Sequence, residues 1–185
     1  DLGHPDSAVS RAALWTACKS RQFLPANHND APEQHTWDDL YFRLWLNVIE
    51  PSLPSDRPCI VEHYPPSQAA LSELTTDARG RSWARRFEVY LNGIEIANAF
   101  YELRDPQTHR TRYEEEMRIR KATYGEGFPI TPLDTDFIQS LESPGLPSCA
   151  GIALGVDRLI QILGGFKSIH ETFAWDIHFS EEDNC

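Results

Sequence analysis

Two carboxylates, Glu95 and Glu102, stand seven residues apart in an otherwise apolar stretch, Gly93-Ile94-Glu95-Ile96-Ala97-Asn98-Ala99-Phe100-Tyr101-Glu102-Leu103. Carboxylates so placed are oxygen ligands suited to Mg²⁺, which takes a few of them and fills its other positions with water and substrate phosphates. The same charges also suit an ammonium group. A second stretch, Gly151-Ile152-Ala153-Leu154-Gly155-Val156-Asp157-Arg158-Leu159, alternates small residues and then opens an apolar run with an arginine. On a strand Gly151, Ala153 and Gly155 share one face, where missing side chains leave room for a flat ring or an amino-acid tail. Arg158 falls in the first turn of the next helix, and a guanidinium can stack on a base while it hydrogen-bonds to a phosphate. Together the two stretches point to a site for a nucleotide with its metal. Two plainer readings stand beside this one: Asp157 and Arg158 as an ion pair with a helix cap, and Glu102 as a strand end in solvent.

The elements that position these groups can be read from pattern. Phe87 to Leu91 and Ile94 to Ile96 flank Asn92-Gly93, a strong signal for a two-residue hairpin turn. That turn pairs Leu91 with Ile94, Tyr90 with Glu95 and Val89 with Ile96. Phe87, Val89, Leu91, Ile94 and Ile96 then share a face packed on helices, and Glu88, Tyr90 and Glu95 share the other. Residues seven apart on a regular strand point to opposite faces, so Glu95 and Glu102 meet one ligand only if the strand is irregular between them. A bulge is expected within Ala97-Asn98-Ala99, where the side chains are small. Cys59 to Tyr64 reads as a strand stopped by Pro65-Pro66, and Ser148 to Leu154 as a small-residue strand. A last strand is expected from Thr172 to His178, before an acidic tail.

Helices are expected at Ser7 to Arg21, from Thr36 as a cap through Val48, at Gln107 to Tyr124, from Asp134 or Thr135 through Leu141, and at Val156 to Leu163. Phe23 to Gln34 reads as a loop. The chain divides into a helical segment, residues 1–55, and a mixed segment, residues 56–185, within a single domain.

The chain has 185 residues, enough for one domain with a real core. It is 41% hydrophobic and 24% charged, with no apolar run long enough to cross a membrane. No cationic stretch followed by an apolar one opens it, so no signal peptide is expected. Four scattered cysteines without CxxC spacing argue against a zinc site or a disulfide framework and fit a reducing cytoplasm. The net charge of −11 argues against broad nucleic-acid binding. Arg81, Arg85 and Arg86 form one local basic cluster; Arg110, Arg112, Arg118, Arg120 and Lys121 form another, read as a solvated face balanced by Glu114 to Glu116. The tryptophans Trp15, Trp37, Trp45, Trp83 and Trp175 read as packing groups. His63, His170 and His178 read as structural, and Cys149 lacks an evident base to make it a nucleophile.

With those residues in view, the chain resembles the C-terminal half of a class II aminoacyl-tRNA synthetase catalytic domain of the lysyl type. Gly151 to Arg158 is similar to motif 3 of that class, and Glu95-Ile96-Ala97-Asn98 with Glu102-Leu103 to its metal- and ATP-binding strand. Within the group it is most similar to the elongation factor P lysyltransferase family. Ala153 stands where ordinary lysyl-tRNA synthetases have Gly. Pro147 to Gly151, Tyr64 to Leu71, and Arg86 to Tyr90 are also alike, and the likeness runs from about Pro58 to Ser180. It implies an α+β fold, an antiparallel sheet flanked by helices.

The resemblance further implies that Glu95, with the backbone of Ile96, contacts ATP and its Mg²⁺. Glu102 would meet a lysine or (R)-β-lysine substrate and count as a second metal carboxylate, with Asn98 and Gly151 in the same pocket and Ala153 trimming it. Gly155 would admit the nucleotide, Arg158 would hold adenine and phosphate as the catalytic group, and Gln68 would line the substrate site. The implied reaction is attack of the substrate carboxylate on the α-phosphate of ATP, then transfer of the acyl group to a lysine of elongation factor P, with tRNA ranking behind it as acceptor. The full-length enzyme would be a cytoplasmic homodimer. Motifs 1 and 2 of the class are not seen in this sequence, so the chain alone is expected to be inactive. Lysyl-tRNA synthetase and a non-catalytic synthetase-like binding module are the alternatives.

Overall fold

The computed structural model describes residues 8–24, 31–125, 127, 129 and 131–173. Two helices come first, α1 (Ala8–Ser20) and α2 (Trp37–Leu44). A capping box opens α2: Thr36 accepts from the Asp39 N–H, and the Asp39 carboxylate accepts from the Thr36 N–H. Leu14, Cys18, Leu24, Trp37 and Leu40 form the core between the two helices, and the Trp37 indole donates to Ser10 across it at 2.8 Å. The expected single helix through Val48 instead loosens into a π turn, Trp45–Ile49, and a 3₁₀ turn, Glu50–Ser52. Pro51 has no N–H to extend a regular ladder. The Trp45 indole donates to Glu50 at 3.1 Å and so spans the widened turn.

The remaining elements are β1 (Cys59–Tyr64), β2 (Leu74–Thr76), β3 (Ser82–Leu91), β4 (Ile94–Tyr101), α3 (Pro106–Tyr124), α4 (Thr135–Glu142), β5 (Ala150–Leu154) and α5 (Val156–Gly164). The sheet is antiparallel with order β1-β3-β4-β5, and the short β2 pairs with the start of β3. Asn92 and Gly93 both have positive φ, 53° and 72°, as a tight hairpin turn between right-twisted strands requires. Asp105 caps α3, Asp134 caps α4, and Gly165 closes α5 in the left-handed region at φ 68°.

Leu91 pairs with Ile94 and Tyr90 with Glu95 as expected, but Val89 pairs with Ala97. Ile96 is therefore the extra residue of a bulge, one position before the expected Ala97 to Ala99 segment. The bulge also takes Ile96 out of the apolar row assigned to it, and Ala97 replaces it. That row is open rather than packed throughout: Ile60, Phe87, Ile152 and Leu154 are exposed, while Ala97 and Ala99 are buried. Thr172 lies in a 3₁₀ turn, Ile169–Thr172, so the expected last strand does not begin there. Its remainder beyond Phe173 and the acidic tail lie outside the described residues, as do Trp175, His178 and the middle of the first loop.

The second basic cluster divides. Arg118 pairs with Glu115, Arg120 with Glu116 and Arg110 with Glu142, which is the solvated face expected. Arg112 instead donates to the carbonyls of Ala70 and Ser72 and ties α3 to the segment before β2.

Candidate active site

Cross-strand register sets the site. Paired residues in neighbouring strands share a face, so Glu88, Asn98 and Ala153 form one row, and Arg86, Phe100 and Gly151 form the next. Tyr90 and Glu95 form a third row on the hairpin side. Because Ile96 is bulged, Glu95 joins the face of Asn98 and Phe100, and Glu102 lies on that face too. An ideal Cβ built on Gly151 would stand 2.5 Å from Glu102 Oε1, so the carboxylate lies over the glycine.

At the hairpin end, the Arg158 guanidinium donates to the Glu95 carbonyl at 2.9 Å and lies 3.9 Å from its carboxylate. Gly155 positions that arginine: a Cβ there would stand 3.4 Å from Arg158 Cδ, so the methylenes of Arg158 use the space the glycine leaves. The Gly155 N–H donates to the Ile96 carbonyl at 2.8 Å, which fixes the start of α5 on the bulge. Burial raises the Glu95 pKa above the usual carboxylate value, and the charge of Glu88 adds to it, while Arg158 and Arg86 oppose the shift.

Glu95 and Glu102 share a face without sharing a point. At the rise of a β-strand they are about 20 Å apart along β4. They occupy the two ends of one row, with Asn98 and Ala153 between them, so a single ion cannot bridge them as the sequence reading had it. The carboxylate that acts most on Glu95 is Glu88, ahead of Glu50; sequence reasoning assigned Glu88 to this face but gave it no role.

Glu88 is the centre of a buried polar cluster. Its Oε2 accepts from the Tyr64 hydroxyl at 2.5 Å and the Tyr90 hydroxyl at 2.8 Å. Its Oε1 accepts from Arg86, whose other donors reach the Gln68 carbonyl at 2.9 Å and Asn98 Oδ1 at 3.2 Å. The Arg86 guanidinium also stacks over the rings of Tyr64 and Phe100. Tyr64 and Tyr90 are held protonated, by burial first and then by their bonds to Glu88. Burial, with the charge of Glu88 beside it, pushes the Tyr41 hydroxyl up to about 12. The Gln68 amide donates to Asp38 at 2.7 Å, and Trp45 packs 5.9 Å from Tyr64, so the helical segment walls this side of the face. The signal for Glu88 was its spacing: Arg86, Glu88 and Tyr90 put three polar side chains on one face of an interior strand.

His109 is buried with a ring nitrogen 2.8 Å from the Leu103 carbonyl, a structural role. His63 adopts φ 62° at the irregularity that ends β1 and packs against Trp83. Among the described residues, no three His, Cys, Asp or Glu side chains converge on a metal position. A single carboxylate suits an ion that completes its coordination with phosphate oxygens and water.

The family of class II tRNA synthetases (D, K and N) matches residues 19–177, and the chain belongs to that family. The antiparallel sheet with flanking helices is the α+β fold of a class II synthetase catalytic domain. Over 149 residues the chain is 39% identical to the elongation factor P–(R)-β-lysine ligase of Klebsiella pneumoniae strain 342, which is 80% of this chain and 44% of that protein. It is also 39% identical over 150 residues to the ligase of that name from Proteus mirabilis strain HI4320, 81% of this chain and 44% of that protein. The chain thus spans less than half the length of the curated relatives it matches.

Proposed function

We propose that this chain is part of an ATP-dependent ligase that forms lysyl- or (R)-β-lysyl-adenylate and transfers the acyl group to a lysine of elongation factor P. The observation that carries this reading is the single row on β4, with Glu95 and Arg158 at one end and Glu102 at the other. Its length suits an elongated, two-part ligand. Arg158 holds adenine and phosphate, Gly155 keeps that arginine in place, and the bulge at Ile96 turns Glu95 toward the nucleotide. Glu102 takes the substrate ammonium over Gly151, and Ala153 narrows the middle of the row, where a methyl in place of hydrogen selects by shape. Asn98 lies where the amino-acid carboxylate meets the α-phosphate.

Glu95 is the carboxylate that would hold Mg²⁺, since Glu88 is taken up by Tyr64, Tyr90 and Arg86; the ion, when bound, would neutralise phosphate charge. The chain's own residues contribute position and fixed charge, which are large terms in phosphate chemistry.

ATP–pyrophosphate exchange with lysine and with β-lysine, on this chain and on the full-length gene product, tests the proposal. Exchange by the full-length protein and none by this chain is the expected result. No exchange by either overturns it. Acylation of tRNA in place of elongation factor P would move the chain to the lysyl-tRNA synthetases.

Gly151→Ala probes the amino-acid end. The new methyl meets only the mobile end of Glu102, so stability should stay within about 0.5 kcal/mol of the parent. The displaced carboxylate should raise the KM for the amino acid about tenfold and leave that for ATP alone. Unchanged amino-acid KM in the full-length variant would remove Glu102 from the substrate.

A further inference from the structure

Arg86 borders the middle of the row and reaches it through Asn98. Its side chain is only 10% exposed, and its Nη2 donates both to Glu88 and to Asn98 Oδ1. Its Nε is buried without a hydrogen-bond partner, so the guanidinium sits where those contacts and the stacked rings hold it. A guanidinium is a donor only. The side of the Asn98 amide that faces Arg86 must therefore be its oxygen, and the opposite side must be its NH₂. Asn98 pairs with Ala153 on β5, across β4 from the strand that carries Arg86, so that side is the one left to the NH₂.

Resting on the adenylate-forming reading above, we infer that Arg86 is a positioning residue that fixes the polarity of the Asn98 amide, so that Asn98 presents N–H donors to the carboxylate of the amino-acid substrate. Glu88 holds Arg86 in turn. Three of the lone-pair positions on its carboxylate accept from Tyr64, Tyr90 and Arg86, so it is a fixed acceptor behind the guanidinium. A free amide would rotate to meet either donors or acceptors, and a carboxylate substrate would find the wrong end of it part of the time. With the lock in place, the substrate carboxylate is bound by donors and its oxygen is aimed at the α-phosphate.

The test uses the full-length gene product with Arg86→Gln, Arg86→Lys and Asn98→Asp, assayed by ATP–pyrophosphate exchange with lysine. Glutamine can accept as well as donate, so Arg86→Gln frees the amide. It should raise the amino-acid KM about tenfold while the ATP KM stays within about twofold. Arg86→Lys remains donor-only and should recover most of the loss. Asn98→Asp keeps an oxygen for Arg86 but turns a second oxygen toward the substrate; it should lose at least as much as Arg86→Gln and melt no lower than the parent.

KM values for both substrates rising together, or an Asn98→Asp enzyme that takes the amino acid as well as the parent does, overturns the inference. Failure of the underlying reading looks different, because the parent itself then exchanges no pyrophosphate. The lock is in that case decided by the side-chain amide resonances of Asn98. Two sharp lines in the parent that broaden in Arg86→Gln uphold it, and the same lines in both proteins overturn it.

Discussion

Replacing Glu88 with alanine is expected to lower the unfolding free energy by about 3–5 kcal/mol, the range for removing one partner of a buried ion pair. Glu88 is 9% exposed and the Arg86 side chain 10%, so water screens the pair weakly. The loss comes mainly from what remains. Arg86 would keep its charge with no anion beside it, and the hydroxyls of Tyr64 and Tyr90 would lose their acceptor in a buried setting. Glu88→Gln should fall between: its amide oxygen still accepts from the tyrosines, while its NH₂ turns toward a guanidinium that can only donate. Urea unfolding followed by tryptophan fluorescence measures both, since Trp45 lies 5.9 Å from Tyr64. Adding Arg86→Met to Glu88→Ala should restore part of the loss, because the uncompensated charge leaves with it. A loss below about 1 kcal/mol for Glu88→Ala would mean that the cluster is screened as surface pairs are.

The same cluster shows where sequence reasoning stops. Asn92-Gly93 announced the hairpin because few residue pairs tolerate two positive φ values, and Thr36 and Asp134 announced helix starts because they can accept from exposed N–H groups. These signals are local, and the chain obeys them. The bulge is not local. Its need was legible from the odd spacing of Glu95 and Glu102, but its place at Ile96 is set by pairing to β3 and β5 on both sides. The face expected to be packed failed for a related reason: alternation tells which side chains point together and says nothing about what covers them. Glu88 is the sharper case. A glutamate alternating with apolar residues in a strand is usually solvated. Its burial depends on Tyr64, 24 residues earlier on another strand, and on α2 beyond that. The short motif strings that carried the family resemblance were legible because they need no such knowledge, but they also assigned two ends of a row to one ion.

Glu95→Gln should move activity and stability in opposite directions. In the full-length protein its exchange rate is expected to fall about 10²–10³-fold, the usual result of removing one charged or donor group from a preorganised phosphate site. The Arg158 bond to the residue 95 carbonyl survives the change, so the loss isolates the carboxylate itself. Stability should rise at neutral pH. Burial and Glu88 raise the Glu95 pKa in the folded chain above the usual carboxylate value of 4.5. The folded state therefore holds that proton more tightly than the unfolded state does. Its contribution to stability is complete below the unfolded value and is lost as pH rises through the folded one. Glutamine has no proton to lose, so the variant and the parent should converge in acid, and the variant should pull ahead as pH climbs out of the carboxylate range toward neutrality. Melting temperatures of the two proteins across that range give the answer. A variant less stable than the parent at neutral pH would mean that Arg158 and Arg86 outweigh Glu88 at this carboxylate, and Glu95 would then be a structural ion-pair partner instead of a charge held in readiness for a cation.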